Sequence, residues 1–320
     1  MRLASVLTPL SDYNLTLAAQ TGVDDVVCRY PGPDLLQLDE CQARIAAFGM
    51  RLGVVEGYLP IDRLKLGRDD GSDMAAMKAL VRHCGDIGVP IICYNFMAGT
   101  DWIRTSIDTP ERGGSKVTAF DISQVETARI PGRDPFRADL EPGSKRDDLW
   151  RNLEQFLTEL VPVAEDAGVV LAMHPDDPPL PSLLGNDRIM HCVEGFQRLI
   201  DLVPSSSNKI AFCQGSFAEM GVDIPSVIRL LGRDIAYVHF RDVHGTADKF
   251  AESWHDNGQT DMAAAMRAYR EVGFDGPMRP DHVPQMIGED DGEPGYTMLG
   301  RLFAFGYIRG LMHATDHDPG

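Results

Sequence analysis

The chain has 320 residues, 43% of them hydrophobic, and its 30 Lys and Arg against 48 Asp and Glu give a net charge of −18. This charge argues against nucleic acid and membranes as partners, because both are bound chiefly through basic patches. A short apolar amino-terminal run, the lack of any stretch of about 20 apolar residues, and six scattered cysteines without a C-x-x-C pair together predict a cytoplasmic protein with no membrane span.

Eight short apolar runs alternate with helical patterns along the chain, and each is predicted to be a strand. Helix, glycine and strand follow one another in "AAFGMRLGVVE", "CGDIGVPIICY" and "REVGFDGPM", and such repeated units indicate a parallel sheet. Eight strands predict an α/β protein with the (β/α)8 TIM-barrel fold and a single domain over residues 1–320. No G-x-G-x-x-G follows the first strand, so an open doubly wound sheet is the weaker alternative. The predicted strands are Arg2–Leu7, Asp25–Arg29, Arg51–Glu56, Pro90–Phe96, Val169–His174, Lys209–Cys213, Ile235–Phe240 and Pro277–Pro280.

The clearest predicted helix runs from Lys145 to Ala167. Apolar residues recur in this segment at intervals of three and four, which places them on one face of a helix. Ser144, followed three residues later by Asp147, predicts a capping box at its start. The glycine of "EDAGV" predicts its end just before the next strand.

A long stretch after the fourth predicted strand, about residues 97–143, is rich in Gly, Pro, Asp and Arg and has little apolar periodicity. Loops of this length in compact domains are usually functional or mobile. Its position after a strand places it on the face where barrel enzymes carry their active sites. We expect either a lid over that site or a disordered excursion.

Four potential metal ligands end the last four predicted strands. The strings "VVLAMHPDD", "KIAFCQG", "IAYVHFRD" and "GPMRPDH" lead through apolar residues to His174, Cys213, His239 and Asp281. Because the carboxyl ends of barrel strands surround one opening, we expect these side chains to meet. Two imidazoles, a thiolate and a carboxylate suit Mn²⁺, Fe²⁺, Co²⁺ or Zn²⁺, whereas Ca²⁺ and Mg²⁺ prefer oxygen ligands.

Each of these ligands also has a purely structural interpretation. A histidine or cysteine at a strand end can be a core residue, and an aspartate there can cap a turn or helix. The equivalent placement of all four in successive units favours the metal site.

Further candidates lie close to the predicted ligands. Asp176 or Asp177, in "HPDDPP", could orient an imidazole, or both could belong to an acidic loop. Arg241 follows a ligand by two residues, so strand alternation points it toward a bound anion, unless it only forms a salt bridge. Glu56 ends the third strand and could contact substrate or hold an arginine. His282 and Tyr296 lie just beyond the last strand and could transfer protons.

The chain resembles the mannonate dehydratase family, a branch of the xylose-isomerase-like TIM barrels, over about residues 50–312. The strings that carry the resemblance are "IICYNFMAGTDWIRT", "PVAEDAGVVLAMHPDDPP", "FCQGS", "VHFRDV", "FAESWHDNGQTDMAAAMRAYREVGFDGPMRPDH" and "PGYTMLGRLFAFGYIRGL", in this order. "MHPDDPP" followed later by "RPDH" is the most specific pair, since the barrel pattern itself is common to many families.

This resemblance implies a site and a reaction. The four predicted ligands match the Mn²⁺ ligands of the family, and Arg241, His282 and Tyr296 match its active-site positions. "YNFM" and the later "DW" imply that Asn95 and Trp102 reach the substrate. The reaction of the family removes water from D-mannonate and gives 2-keto-3-deoxygluconate. We therefore expect a small sugar acid as substrate and a homo-oligomer as the assembly.

The predicted residues suit this chemistry. A metal that binds the carboxylate or an α-hydroxyl stabilises the charge formed when C2 loses its proton, while a base takes that proton and an acid protonates the departing C3 hydroxyl. An isomerase or epimerase of a sugar or hydroxy acid begins in the same way, so the ligands alone do not separate the two. A non-catalytic sugar-acid-binding barrel is a third alternative, although binding alone needs no proton-transfer groups.

Overall fold

The computed structural model describes residues 1–98, 102–127 and 143–316, and all secondary structure given below lies within them. The strands are β1 (Arg2–Val6), β2 (Asp25–Cys28), β3 (Arg51–Glu56), β4 (Ile91–Tyr94), β5 (Ser106–Pro110), β6 (Lys116–Asp121), β7 (Val170–Met173), β8 (Ser182–Leu183), β9 (Asn186–Asp187), β10 (Asn208–Cys213), β11 (Ile235–His239), β12 (Val243–Thr246), β13 (Lys249–Glu252) and β14 (Pro277–Arg279). The α-helices are α1 (Asp12–Gln20), α2 (Leu36–Ala46), α3 (Asp62–Lys65), α4 (Ser72–Asp86), α5 (Arg146–Ala167), α6 (Val193–Leu202), α7 (Gln214–Glu219), α8 (Ile224–Leu231), α9 (Met262–Glu271) and α10 (Met298–Asp316). Short 3₁₀ helices span Arg112–Gly114, Ile122–Thr127 and Gly232–Asp234.

Eight parallel strands close into a barrel in the order β1, β14, β11, β10, β7, β4, β3, β2, and β2 pairs again with β1. The fold is therefore the (β/α)8 TIM barrel that the sequence predicted. Every predicted strand is a barrel strand, and each observed bound lies within two residues of the prediction. No helix of the described part of the chain is both long and apolar enough to cross a membrane.

The barrel interior is filled by alternate residues of the strands. Those pointing inward are mostly small or β-branched and make one buried cluster, with Ala4, Val27, Val54, Ala172 and Ala211 among them. The outward residues pack against the helices in a second, larger cluster. Burial on both faces explains why these strands read as continuous apolar runs. The prediction of one domain over residues 1–320 stays a prediction, supported by contact between the first and last helices, α1 and α10.

Helix α5 begins and ends close to the predicted positions, but the predicted cap is wrong. The residue before the helix is Lys145, in an extended conformation and without a side-chain cap. The Ser144 hydroxyl instead donates to Asn186 Oδ1 at 3.1 Å, because the loop of β9 lies against this end of the helix. Gly168 does end the helix, with φ of +67° in the left-handed region.

The long stretch after β4 contains a hairpin that the sequence analysis did not predict. Strands β5 and β6 pair antiparallel with each other, and β6 pairs with β13 in a sheet of order β12-β13-β6-β5. The partner strands follow β11, so their pairing is not visible from local sequence; it is supported by stacking of Phe120 on Phe250. This sheet joins two loops at the carboxyl rim of the barrel. Residues 99–101 and 128–142 of the predicted loop lie outside the described residues.

A candidate active site at the carboxyl rim of the barrel

A cavity of about 250 Å³ opens at the carboxyl ends of the barrel strands. This is the face on which TIM-barrel enzymes carry their sites. The predicted site residues that line it are Glu56, Asn95, Trp102, His174, His239, Asp281, His282 and Tyr296. Cys213, Arg241 and Asp176 are buried and do not line it.

Three of the four predicted metal ligands converge. His174 follows β7 directly, and Cys213 and His239 are the last residues of β10 and β11, where they are partners in register. One ligand atom from each lies within 4.8 Å of the other two. The two imidazoles approach most closely, with 3.1 Å between His174 Nε2 and His239 Nδ1.

Hydrogen bonds fix which atoms of this cluster face one another. His174 Nδ1 is 2.7 Å from the Pro175 carbonyl, so Nδ1 carries the hydrogen and Nε2 keeps its lone pair. The Ser216 hydroxyl donates to Cys213 Sγ at 3.3 Å. Burial alone would raise the pKa of the Cys213 thiol, but the Arg241 guanidinium and His174 outweigh it and hold that pKa well below its usual value. A thiolate is the form that binds metal.

Asp281, the fourth predicted ligand, lies beside this cluster. Its Oδ2 is 3.4 Å from His239 Nδ1, and its Oδ1 accepts from Arg279 Nη1 at 2.5 Å. Burial would raise the pKa of this carboxyl, but Arg279 and His282 hold it well below the usual value. The carboxylate is therefore ionised and one side chain away from the three convergent ligands.

The cluster fits a divalent transition-metal ion. An ion bound at about 2.1 Å to two imidazole nitrogens holds them roughly 3.0–3.4 Å apart, which matches the 3.1 Å between His174 and His239. Glu56, Cys93 and His239 form a second group with suitable spacing. There, however, burial raises the pKa of the Cys93 thiol to about 11, so it stays a neutral thiol rather than the thiolate that binds metal. The donor set and charges thus favour the group that contains Cys213.

Arg241 does not face the cavity, although the sequence analysis predicted that it would neutralise substrate charge. Its side chain is fully buried and contacts the carboxylates of Glu219 at 3.1 Å, Glu252 at 3.0 Å and Asp177 at 3.2 Å. Strand alternation does place it on the same side as the three convergent ligands, but there its guanidinium pairs with these carboxylates. Its charge lowers the pKa of Cys213, and its Nε lies 3.3 Å from Asp281 Oδ2.

His282 is held by a buried carboxylate. Its Nδ1 lies 2.8 Å from Glu252 Oε1, and Arg104 Nη2 donates to the same oxygen at 2.7 Å. Burial would raise the pKa of Glu252, but Arg241 and His282 lower it. An ionised carboxylate only accepts hydrogen bonds, so His282 Nδ1 carries a hydrogen, and in the neutral imidazole the lone pair is on Nε2.

Replacing Glu252 with glutamine is expected to lower turnover by about 10²-fold, because the amide can donate to His282 Nδ1 and favour the opposite tautomer. Steady-state kinetics measure this, with KM changing much less than kcat. Glu219→Gln is the matched control, since Glu219 is equally buried and contacts Arg241 but is not a partner of His282. Wild-type kcat in Glu252→Gln would contradict this orienting role.

Trp102 and Tyr296 enclose His282 on two sides. The Trp102 ring stacks on the imidazole with 4.7 Å between centroids, and the Tyr296 ring meets it edge-on at 5.6 Å. Trp102 adopts a positive φ of 49°, a conformation that tryptophan rarely takes. Burial and the Asp281 charge raise the pKa of the Tyr296 phenol, so it stays protonated.

Glu56 and Asn95 line the cavity, but each is already engaged by a neighbouring cation. Glu56 accepts from Arg279 Nη2 at 2.8 Å and lies 3.4 Å from His239 Nε2, so it holds an arginine and supports an imidazole. Asn95 Oδ1 accepts from Lys65 Nζ at 3.0 Å. Their amide and carboxylate groups still border the cavity.

Asp176 is not brought to the cavity. Its side chain is 1% exposed, and its Oδ2 accepts from the Met190 backbone at 2.7 Å. Burial raises the pKa of this carboxyl to about 6. The Pro175 carbonyl, not Asp176, orients the His174 imidazole. Asp177, the next residue, does line the cavity and pairs with Arg104 at 2.6 Å.

Sequence reasoning missed Arg29, Lys65, Glu252 and Arg104. Arg29 directly follows β2, so it lies at a strand end like the predicted metal ligands. Arginine is not a metal ligand, so the pattern of strand-end ligands did not indicate it. Glu252 lies within one of the strings that carry the resemblance, where it looks like any loop acid. Lys65 ends the short helix α3 and Arg104 lies in the loop before β5, and sequence patterns predicted neither element.

Comparison with known proteins gives a consistent picture. The family model described as D-mannonate dehydratase (UxuA) matches residues 12–318. The chain is 33% identical over 300 residues to mannonate dehydratase of Oceanobacillus iheyensis, covering 88% of this chain and 85% of that protein. It is 32% identical to mannonate dehydratase 2 of Halalkalibacterium halodurans, with 85% of each chain covered.

Solved structures extend the comparison to the fold. The crystal structure of mannonate dehydratase from Streptococcus suis serotype 2 superposes with a TM-score of 0.90 at 29% identity, covering 100% of this chain and 96% of that one. An L-ribulose 3-epimerase structure superposes with a TM-score of 0.63 at 15% identity, covering 98% and 95%. The second likeness concerns the fold alone.

Proposed function

Because the chain belongs to the D-mannonate dehydratase family, we propose that it removes water from D-mannonate, giving 2-keto-3-deoxy-D-gluconate, in the cavity at the carboxyl rim of its barrel. Family membership makes it an enzyme of the hydro-lyase class. The observation that carries the proposal is the convergence of Cys213 with His174 and His239, two residues that line this cavity together with His282 and Tyr296.

We propose that these three residues, together with Asp281, hold a divalent ion, with Mn²⁺ first and Fe²⁺, Co²⁺ or Zn²⁺ as alternatives. When bound, the ion supplies Lewis-acid stabilisation of the negative charge that develops as C2 loses its proton. The support lies in the donor set, in the ionised state of the Cys213 thiol, and in the spacing of the imidazole nitrogens.

Two residues of the chain are suited to move the protons. His282 Nε2, with its lone pair free because Nδ1 faces Glu252, takes the proton from C2. The Tyr296 phenol, whose raised pKa keeps it protonated, gives its proton to the C3 hydroxyl, which leaves as water. The resulting enol then moves a proton from its C2 oxygen to C3 and becomes the 2-keto acid. Trp102 covers His282 and keeps bulk water from this face.

The alternative activities have weaker support. Epimerases of the xylose-isomerase-like group share the fold at 11–15% identity, which carries no inference about reaction. A barrel that only binds sugar acids would not need an imidazole held in one tautomer by a buried carboxylate beside a protonated phenol.

The proposed reaction can be tested with the purified protein, Mn²⁺ and D-mannonate. A thiobarbituric-acid or semicarbazide assay is expected to detect a 2-keto-3-deoxy product of D-mannonate. Its formation should require both the protein and Mn²⁺. Other aldonates tested in parallel measure how selective the cavity is. If neither D-mannonate nor any other aldonate gives this product, dehydration is not the activity of the chain.

We also propose that the protein is a cytoplasmic homo-oligomer. Its ligand is a small sugar acid, and it binds neither nucleic acid nor membranes. The net charge of −18 supports the last part, since it repels phosphate-rich partners. Sedimentation of the purified protein tests the assembly.

A further inference from the structure

The proposed substrate is an anion, and a chain with a net charge of −18 needs a local cation to receive it. Within the described residues, three Arg or Lys side chains line the cavity: Arg29, Lys65 and Arg279. Arg241 is excluded by its burial among carboxylates. The three cations differ in how far their N–H groups are already used.

Arg279 is committed to the barrel. Its Nε donates to the Tyr237 hydroxyl at 2.6 Å, Nη1 donates to Asp281 at 2.5 Å, and Nη2 donates to Glu56 at 2.8 Å. The side chain is 1% exposed. With all three nitrogens engaged by buried oxygens, a substrate carboxylate would have to displace an existing ion pair.

Lys65 is committed as well. Its Nζ donates to Asp62 Oδ1 at 3.1 Å, Asn95 Oδ1 at 3.0 Å and the Met97 carbonyl at 3.1 Å. An ammonium group has three N–H donors, so all of them have acceptors within the protein. Lys65 therefore fixes Asn95 at the cavity wall and has no donor left for a ligand.

Arg29 has capacity left. Its side chain is 31% exposed, its Nη1 donates to the Glu56 carbonyl at 3.4 Å, and the nearest oxygen of the Glu56 carboxylate is 3.9 Å away. The guanidinium also makes a side-chain hydrogen bond with Tyr296. That carboxylate is already paired with Arg279. A guanidinium has five N–H donors in a planar fork that matches a carboxylate. Donors therefore remain for a ligand in the cavity.

The surroundings of Arg29 hold its guanidinium in place. It lies over the rings of Tyr58 and Tyr296, with 5.6 Å from Cζ to each centroid. Gly57, with φ of +82°, passes close by, and a Cβ at that position would lie 2.9 Å from Arg29 Nη1. Only glycine both adopts this conformation readily and leaves the room that the arginine occupies.

Arg29 is also close to the reacting groups. The Glu56 carboxylate lies between Arg29 and the proposed metal ligands. One of its oxygens is 3.9 Å from Arg29 Nη1, and the other is 3.4 Å from His239 Nε2. Tyr296, over whose ring the guanidinium lies, is in edge contact with His282. If Arg29 holds the carboxylate of the substrate, the substrate carbons next to it would lie between Tyr296 and His282.

We propose that Arg29 binds the carboxylate of the sugar acid and makes the cavity select aldonates over neutral polyols. The proposal rests on the proposed function for the identity of the ligand, but it concerns binding and can be tested without turnover. The 3-deoxy analogue of D-mannonate has no C3 hydroxyl to lose, and its neutral alditol differs from it only at C1.

Calorimetric titration of the Mn²⁺-loaded protein with these two compounds is the test. Wild type is expected to prefer the aldonate, and Arg29→Gln to raise the Kd of the aldonate by about 10- to 100-fold, the range of one charge-assisted bidentate pair, without changing that of the alditol. Arg29→Lys keeps the charge without the planar fork, and its Kd for the aldonate is expected to lie between those of wild type and Arg29→Gln. Arg44→Gln, which removes an exposed arginine paired with Asp12, is the matched control.

The outcomes separate this proposal from the proposed function. Equal loss of aldonate and alditol binding in Arg29→Gln, unchanged aldonate binding in that variant, or no preference in wild type would each overturn the role of Arg29. A wild type that dehydrates no aldonate, yet prefers the aldonate and loses this preference in Arg29→Gln, would refute the reaction and support the residue.

Discussion

Replacement of Cys213 by alanine is expected to remove most of the bound divalent metal and to lower kcat/KM for D-mannonate by about 10³- to 10⁴-fold. Lewis-acid stabilisation is worth several kcal/mol, and about 1.4 kcal/mol corresponds to a factor of ten in rate. Cys213 lies within 4.8 Å of the ligand atoms of His174 and His239 and is fully buried, so alanine removes a ligand that faces both imidazoles. Elemental analysis and steady-state kinetics measure the two effects.

The matched control for this experiment is Cys93→Ala. Cys93 is also buried in the barrel and forms the second candidate group with Glu56 and His239. We expect this variant to keep its metal and most of its activity, because burial raises the pKa of the Cys93 thiol to about 11 and keeps it a neutral thiol. Added Mn²⁺ should raise the melting temperature of wild type and Cys93→Ala, but not that of Cys213→Ala. The reverse pattern would move the metal to the second group.

Sequence patterns predicted the barrel and the convergence of three proposed metal ligands for a physical reason. Barrel strands are buried on both faces, so they read as apolar runs, and a polar residue at the end of such a run stands out. His174, Cys213 and His239 were found in this way, and the closed barrel then brings successive strand ends together.

The same reasoning failed where a side chain is decided by ion pairing. Arg241 and Asp176 lie near the expected places, but neighbouring charges and backbone groups engage them away from the cavity. Which of several arginines keeps free donors depends on the positions of all the acids around them. Arg29 could be distinguished from Arg279 and Lys65 only by their contacts.

The hairpin formed by β5 and β6 was missed for a different reason. Its pairing partner, β13, lies in the loop after β11, so no local periodicity reveals it. The sheet matters for the site because it links the loop that carries Trp102 and Arg104 to the strand that ends at Glu252. Those residues support His282, so a group that we propose to move protons depends on the least predictable part of the fold.

Loss of either proton-transfer residue is expected to lower kcat by about 10²- to 10⁴-fold, the usual contribution of a positioned acid or base. His282→Gln removes the proposed base that Glu252 orients. Tyr296→Phe removes the hydroxyl group and keeps the ring against Trp102. The double variant should be little worse than the poorer single one, because both groups act in one proton-transfer sequence. Steady-state kinetics with bound Mn²⁺ measure all three.

Exchange of the C2 hydrogen with solvent assigns the two roles. In D₂O, NMR of D-mannonate should show deuterium entering C2 with Tyr296→Phe, which still has its base but cannot protonate the leaving hydroxyl. His282→Gln should show none, because no group at that wall takes the proton. Tyr13→Phe, on the exposed face of α1 and outside the cavity lining, is the control and should react like wild type. Exchange in His282→Gln together with its loss in Tyr296→Phe would reverse the assignment, making Tyr296 the base.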